Sequence, residues 1–198
     1  MVLNPHSCLG SFVLIKMEII KTPIPDLLII KPRVFEDPRG YFCETYNENK
    51  FLEHGINLHF CQDNQSKSSY GVIRGLHYQL NPQSQSKLVS AVQGAVWDVA
   101  VDLRASSPTF GQWFGVELSE DNHLSFLIPQ GFAHGFSVLT ETAVFAYKCD
   151  NFYSPTLERG ILYNDPNLAI DWKISADKAI ISEKDTKHKQ FKDAEMNF

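Results

Sequence analysis

No basic surplus, no membrane-length apolar run, no cysteine framework and no low-complexity linker mark this chain, and each absence removes a class of function. The 198 residues carry a formal charge of -5, so the broad positive surface that holds nucleic acid non-specifically is missing, although local cations remain for one anion. No stretch approaches the ~20 apolar residues that cross a bilayer. The four cysteines, Cys8, Cys43, Cys61 and Cys149, lack the close paired spacing of metal sites and read as the reduced thiols of a cytoplasmic protein. Neither a Pro/Gly/Ser tract, a repeat nor a composition break divides the middle. A chain of this length then reads as one domain that buries about 70% of its unfolded surface.

Several enzyme signatures are also absent. There is no nucleotidase-type phosphate loop, no dinucleotide glycine fingerprint and no serine elbow. A metal-dependent barrel enzyme would want two histidines one residue apart with a nearby glutamate, and His77 stands alone in its strand. Near the start, Cys8 to Ile15 is a short apolar patch with no basic residue before it and no small-residue cleavage site after it, which argues against a signal peptide. Residues 1–16 lack periodicity and read as an appendage without regular structure. Met17 is an alternative start, and residues 17–198 read as the domain.

What is present is strand. Val96 to Leu103 alternates Trp97, Val99, Val101 and Leu103 with Val96, Asp98, Ala100 and Asp102, and Ala143 to Cys149 repeats the alternation with Phe145 and Tyr147 on one face. Trp113 to Leu118 and Leu124 to Ile128 are further short runs. The turn segments Ser107-Pro108, Glu120-Asp121-Asn122 and Pro129-Gln130-Gly131 come too close together for crossover helices, which favours antiparallel sheets in a sandwich or barrel. Helix is expected only over Asn47 to His54, with Asn47 as N-cap and Gly55 as stop, and around Asp177 to Lys184. The fold class is mainly β.

One segment concentrates chemistry. Gly71-Val72-Ile73-Arg74-Gly75-Leu76-His77-Tyr78-Gln79, followed by Gln85-Ser86-Lys87-Leu88-Val89, holds an imidazole that moves protons near neutral pH, an ammonium that neutralises a forming enolate and a guanidinium that grips phosphate. Any one of these alone is ordinarily a solvated strand residue; the cluster points to carbonyl chemistry on a phosphorylated substrate. A barrel would let His77, Lys87 and Tyr147 converge on one cavity. Arg74 and His77 are three apart and would face opposite sides of a regular strand, so a bulge centred on Gly75 is expected to re-aim one of them. His134, between Gly131 and Gly135, reads first as a hydrogen-bonded core residue, and Ser182-Glu183-Lys184-Asp185 as a solvated charge run. Asp37 to Phe42 and Cys61 to Asn64 read as turns.

Taken together, the blocks Arg39-Gly40-Tyr41-Phe42-Cys43-Glu44, Gln62-Asp63-Asn64, Arg74 to Gln79, Gln85 to Val89, Asp98 to Arg104, Ser107 to Gly111, Pro129 to Phe136, Tyr147-Lys148 and Ser182 to Asp185 resemble the dTDP-4-dehydrorhamnose 3,5-epimerases from about Met17 to Asp185. The resemblance implies a cupin-like jelly-roll barrel, a homodimer with exchanged N-terminal strands, a dTDP-4-keto-6-deoxy sugar as substrate, and no metal or organic cofactor. It also implies roles. His77 matches the general base, Asp185 its dyad partner, Tyr147 the proton donor on the opposite face of the sugar, Lys87 the cation beside the ketone oxygen and His134 an active-site neighbour. Arg39 and Arg74 match pyrophosphate ligands. Phe42, Glu44, Gln62, Asn64 and Tyr153 match the thymidine-diphosphate pocket, some of them supplied by the partner chain. Phe152 replaces the first tyrosine of the family's usual pair, which leaves stacking to Tyr153. Two other readings stay open: a relative that epimerises only one carbon, and a silent sugar-nucleotide-binding cupin.

Overall fold

The computed structural model describes residues 17–198; the appendage read over 1–16 lies outside the described residues. The first elements are β1 (Glu18–Lys21), β2 (Leu28–Lys31), β3 (Val34–Asp37), β4 (Gly40–Cys43), the helix α1 (Glu48–Glu53), β5 (Gln62–Ser69), β6 (Val72–Gln79) and β7 (Lys87–Gln93). They are followed by β8 (Ala95–Asp102), β9 (Trp113–Ser119), β10 (Ser125–Ile128), β11 (Phe132–Val138), β12 (Thr142–Cys149), β13 (Glu158–Gly160) and β14 (Ile180–Ile181). One sheet runs β1-β2-β10-β7-β12-β5 and a second runs β13-β6-β11-β8-β9. Their neighbours are all antiparallel, and β3 and β4 form a separate hairpin. The alternation called for antiparallel sheets in a sandwich or barrel and the family resemblance for a jelly roll, and this is that arrangement.

Period-two patterning builds the interior. Val89, Ala91, Phe126, Ala143 and Phe145 from the first sheet meet Val96, Ala100, Leu118, Phe136 and Val138 from the second, and each large apolar side chain so buried contributes about 1.5–3 kcal/mol. The second sheet carries apolar residues on its other face too. Ile73, Leu76, Tyr78, Val99 and Val101 pack there against Ile161, Leu168 and Trp172 of the chain that follows β13. That wrapping segment returns the sequence beyond Ile161 to the edge of β6.

The bulge in β6 is present. His77 is opposite His134, yet Arg74 is opposite Phe136, so three steps along β6 match two along β11. Val72 belongs to the core between the sheets, while Ile73, Leu76 and Tyr78 belong to the outer one; the alternation changes phase at Gly75. Arg74 and His77 thereby face the same cavity. Gly75 has φ +132°, and a Cβ there would lie 2.6 Å from Gly135 Cα, so both the backbone conformation and the close approach of β6 to β11 require glycine.

The helix forms where expected. Asn47 caps α1 by accepting from the Lys50 amide at 3.3 Å, Gly55 ends it at φ +78°, and Phe51 is its buried anchor. The expected helix around Asp177 to Lys184 is absent. Lys178 N donates to Ser175 O in a single turn, after which Ile180 and Ile181 pair in parallel with Val72 and Ile73 of β6; an open strand edge offered a better partner to two β-branched residues than a helix did. Among the described residues no helix is long and apolar enough to cross a membrane.

Gly75→Ala is expected to lower stability by about 2 kcal/mol or more, from the unfavourable φ and the backbone collision together. Urea unfolding of the variant checks this, and a loss below about 0.5 kcal/mol would contradict the packing account.

Candidate active site

β13 pairs with Gln79–His77 of β6, Ile161 continues that pairing to Leu76, and β14 pairs with Val72 and Ile73, so the edge of β6 has a gap at Arg74 and Gly75. Asp185 fills it. The short helical turn Asp185–Lys187 follows β14 directly, and Ser182 accepts the Asp185 amide through both its carbonyl (3.0 Å) and its Oγ (3.1 Å). This aims the carboxylate inward: Oδ1 is 2.7 Å from His77 Nε2, and Oδ2 accepts the Gly75 amide at 3.5 Å. The Asp185 side chain is 4% exposed and that of His77 29%, so the dyad is buried on the carboxylate side and open on the imidazole side. Burial would push the Asp185 carboxyl up, but the hydrogen bond and charge of His77, the Gly75 amide and nearby His188 outweigh it and hold it down at about 2. As a carboxylate Asp185 accepts Nε2–H, which assigns the lone pair of neutral His77 to Nδ1, away from Asp185.

His77, Lys87 and Tyr147 line two adjoining cavities. The outer one, of about 350 Å³, adds Gln62, Asn64, Gln79, Tyr153 and Glu158. The inner one, of about 190 Å³, adds Arg74, His134, Phe136 and Phe145. Lys87 opens β7 and Tyr147 stands near the end of β12, on strands that pair side by side. Desolvation pulls the Lys87 ammonium down from its ordinary value, with Cys149, Asp98 and Glu158 pulling it back. Among the described residues Lys87 has no carboxylate within 4 Å, so its charge is available to an incoming oxygen. Burial also pushes the Tyr147 phenol up, which keeps it protonated at neutral pH, as a donor must be.

His134 sits at the centre of β11, and its Nε2 lies 3.0 Å from each Asp98 oxygen. Burial pushes His134 down and Asp98 up, so the imidazole stays neutral. The expected core histidine and the expected site neighbour are the same residue: it is 7% exposed and still lines the inner cavity.

At the mouth, Gln62 Nε2 donates to Asn64 Oδ1 (3.0 Å), while Gln62 Oε1 accepts the Tyr153 amide (2.9 Å). Tyr153 is 52% exposed and Phe152 66%; only Tyr153 lines the cavity. Arg74 lines the inner cavity, its Nε donating to Ser68 Oγ at 3.1 Å. Arg39, Phe42 and Glu44 are not brought to these cavities within one chain. Arg39 is paired with Asp37 on the β3–β4 turn, Phe42 is 67% exposed, and Glu44 is paired with Lys50 at 2.6 Å. Sequence reasoning gave no role to Glu158, which takes the Tyr153 hydroxyl (2.9 Å) and Lys184 Nζ (2.5 Å) on one oxygen, nor to Asp98 or His188. Asp98 was concealed as one polar step of an alternating strand; Glu158 and His188 lie in segments with no local pattern. Cys43, Cys61 and Cys149 are free thiols.

His77, Asp185 and His188 offer three potential ligand atoms within 4.8 Å of one another. The 2.7 Å contact is that of a hydrogen bond rather than of two ligands on one ion, and Lys184, Lys187 and Lys189 border the group, surroundings that suit a hydrogen-bonded cluster better than a cation.

A family model described as dTDP-4-dehydrorhamnose 3,5-epimerase matches residues 21–193. A protein of that name from Shigella flexneri is 53% identical over 180 residues, covering 90% of this chain and 98% of the relative. The crystal structure of a dTDP-4-dehydrorhamnose 3,5-epimerase from Elizabethkingia anophelis is 60% identical with a TM-score of 0.86, covering 89% of this chain and 97% of that one. A Legionella pneumophila dTDP-6-deoxy-D-glucose-3,5-epimerase, solved with dTDP-4-keto-L-rhamnose, is 51% identical with a TM-score of 0.84 over 88% of this chain and 92% of that one.

A carboxyl held at about 2, against an ordinary 3.8, contributes stability that is complete above the unfolded value and is lost as pH falls through the folded one. The stability difference between wild type and Asp185→Asn is therefore expected to narrow by about 2 kcal/mol between about pH 5 and pH 2, measured by urea unfolding. A difference that does not vary with pH would contradict the assignment.

Proposed function

The chain belongs to the dTDP-4-dehydrorhamnose 3,5-epimerase family, and from that premise we propose how its residues carry the reaction. The enzyme converts dTDP-4-dehydro-6-deoxy-D-glucose to dTDP-4-dehydro-L-rhamnose by inverting carbons 3 and 5, a step of dTDP-L-rhamnose biosynthesis. Both carbons flank the carbon 4 ketone, so one base beside one oxyanion site serves two centres.

In this reading His77 Nδ1 takes the proton from carbon 5 or carbon 3. The electron pair of the broken C–H bond moves into the ring, and the carbon 4 oxygen becomes an enolate. A proton next to a ketone is far less acidic than imidazolium, so the step needs the oxyanion stabilised as it forms. Lys87 supplies that charge from a site where burial has stripped away most of its water. Tyr147 then gives a proton to the same carbon from the opposite face, which inverts the centre and leaves a phenolate and an imidazolium; each exchanges its proton with water before the next inversion. Asp185 holds the tautomer and steadies the imidazolium. The observation that carries the reading is the 2.7 Å His77–Asp185 bond on a cavity shared with Lys87 and Tyr147.

The nucleotide positions a sugar that offers few handles of its own. Arg74 serves the pyrophosphate, and Gln62, Asn64 and Tyr153 serve the nucleoside, with Tyr153 stacking. Arg39, Phe42 and Glu44 complete the pocket of a partner in a homodimer with exchanged N-terminal strands. What supports this is the exposed hairpin: Phe35, Tyr41 and Phe42 are 46%, 57% and 67% exposed, more apolar ring than a lone surface turn usually shows. The assembly is read as cytoplasmic.

Incubation with dTDP-4-dehydro-6-deoxy-D-glucose in heavy water, followed by NMR, is expected to show deuterium entering at carbons 3 and 5. His77→Ala should abolish entry at both, a loss of at least about 10³-fold, and a folded His77→Ala protein with normal exchange would overturn the base. Lys87→Met should lower kcat by about 10²–10³-fold. Tyr147→Phe should slow inversion more than proton loss; equal slowing would remove its donor role. For the homodimer, light scattering is expected to give twice the chain mass, and Arg39→Ala should raise KM well above any change in kcat. A monomer with full activity would contradict the shared pocket.

A further inference from the structure

Behind the dyad stands a second imidazole that the reaction as described does not use. His188 Nε2 is 3.3 Å from Asp185 Oδ1, the same oxygen that His77 Nε2 approaches at 2.7 Å. The two rings meet edge to face with centroids 5.5 Å apart. The His188 side chain is 13% exposed, and its Nε2 is buried without a hydrogen bond of its own, the contact to Oδ1 lying off line. A buried ring nitrogen held beside a carboxylate and left without an aligned partner calls for a reason.

The site is built to keep it there. His188 follows the helical turn that carries Asp185, and the bridge of Lys189 to Ile161, with Leu162 N donating to Lys189 O at 2.9 Å, fixes the backbone. Gly160, the residue opposite His77 across β6 and β13, makes room for the ring: a Cβ at Gly160 would stand 2.4–2.5 Å from Nε2, Cδ2 and Cε1 of His188. On its other side His188 lines an outer cavity of about 220 Å³ with Lys184, Lys187, Lys189 and Arg159. Glu158, Glu195 and Tyr78 also face it. Lys184 is paired with Glu158, Arg159 with Glu195 and Lys187 with Glu183, so much of that charge is balanced locally.

We infer that His188 is a positioning residue that shares the Asp185 carboxylate with His77 and limits how strongly that carboxylate holds a protonated base. With its proton on Nε2, neutral His188 keeps the positive end of an N–H bond beside Oδ1, off the line of a hydrogen bond, and offsets part of the charge on which the His77 imidazolium leans. Two imidazoles on one oxygen also oppose each other's protonation, in keeping with the downward push that burial and His77 give His188. The benefit is in turnover. A base that must release its proton between two inversions is served by a carboxylate strong enough to fix its tautomer and weak enough to let the proton go.

The inference rests on His77 being the base, and the test separates the two. The acid limb of kcat/KM against pH is measured with the dTDP-4-keto sugar for wild type, His188→Ala, His188→Gln and Gly160→Ala, each checked by thermal melting. Loss of one neutral N–H contact to the carboxylate is expected to move the limb up by about half to one pH unit in His188→Ala. Gly160→Ala, which displaces the ring without removing it, should move the limb in the same direction. His188→Gln, which keeps an N–H donor, should stay nearer to wild type. If His188→Ala does not fold, the contrast between Gly160→Ala and His188→Gln reads the same effect. A limb in the same place in all the folded variants overturns the role of His188. Deuterium exchange surviving in His77→Ala would instead overturn the base itself.

Discussion

The hydrogen bond between His77 and Asp185 joins two residues 108 positions apart, and the rest of the molecule is arranged around the place where they meet. A strand edge ordinarily presents unpaired amides and carbonyls that a neighbour must cover. The edge of β6 is covered by β13 on one side and β14 on the other, and the interval between them coincides with the bulge at Gly75. One structural device therefore does two things. It rotates Arg74 and His77 onto a common face, and it leaves an opening through which a carboxylate from the far end of the chain reaches the imidazole.

The electrostatics of the cavity follow from burial acting on groups of different kinds. Desolvation pulls Lys87 and His134 down and pushes Tyr147 and Asp98 up, each toward its neutral form. Asp185 runs the other way, because aligned donors outweigh its burial. The enolate chemistry proposed for the site needs this asymmetry: a fixed carboxylate to hold a tautomer, a protonated phenol as donor, and a cation left to a forming oxyanion. The Asp98–His134 pair stands at the floor of the same cavity, a neutral imidazole between the stacked ring of Phe145 and a buried carboxylate. It stiffens the site without adding a second cation that would compete with Lys87 for the substrate oxygen.

Much of this was legible in the chain. The period-two and apolar runs gave β8, β9, β10 and β12, the N-cap at Asn47 gave the helix, and the three-residue separation of Arg74 and His77 across a glycine gave the bulge, because each is a local rule of backbone geometry; Cys61 to Asn64, whose polar composition reads as a turn, instead leads into β5 at Gln62. Asp185 was not legible from local pattern, since Ser182-Glu183-Lys184-Asp185 has the composition of a solvated surface; only resemblance to a known family singled it out. His188 and Glu158 escaped both routes. Their neighbourhoods are made by the return of the chain beyond Ile161 to the β6 edge, a long-range pairing that also turned the segment around Asp177 from an expected helix into a strand. Arg39, Phe42 and Glu44 show the opposite case: their motif is plain in the sequence, but a single chain does not bring them to the cavity.

The central claim is that Asp185 fixes His77 as the Nε2–H tautomer, with the basic lone pair on Nδ1 facing the sugar. Nitrogen-15 NMR of histidine-labelled enzyme reads this directly near neutral pH. The account predicts a pyrrole-type shift at His77 Nε2 and a pyridine-type shift at Nδ1, both lost in Asp185→Asn. A His77 found with its proton on Nδ1, or with the two tautomers equally populated in the wild-type enzyme, would contradict it.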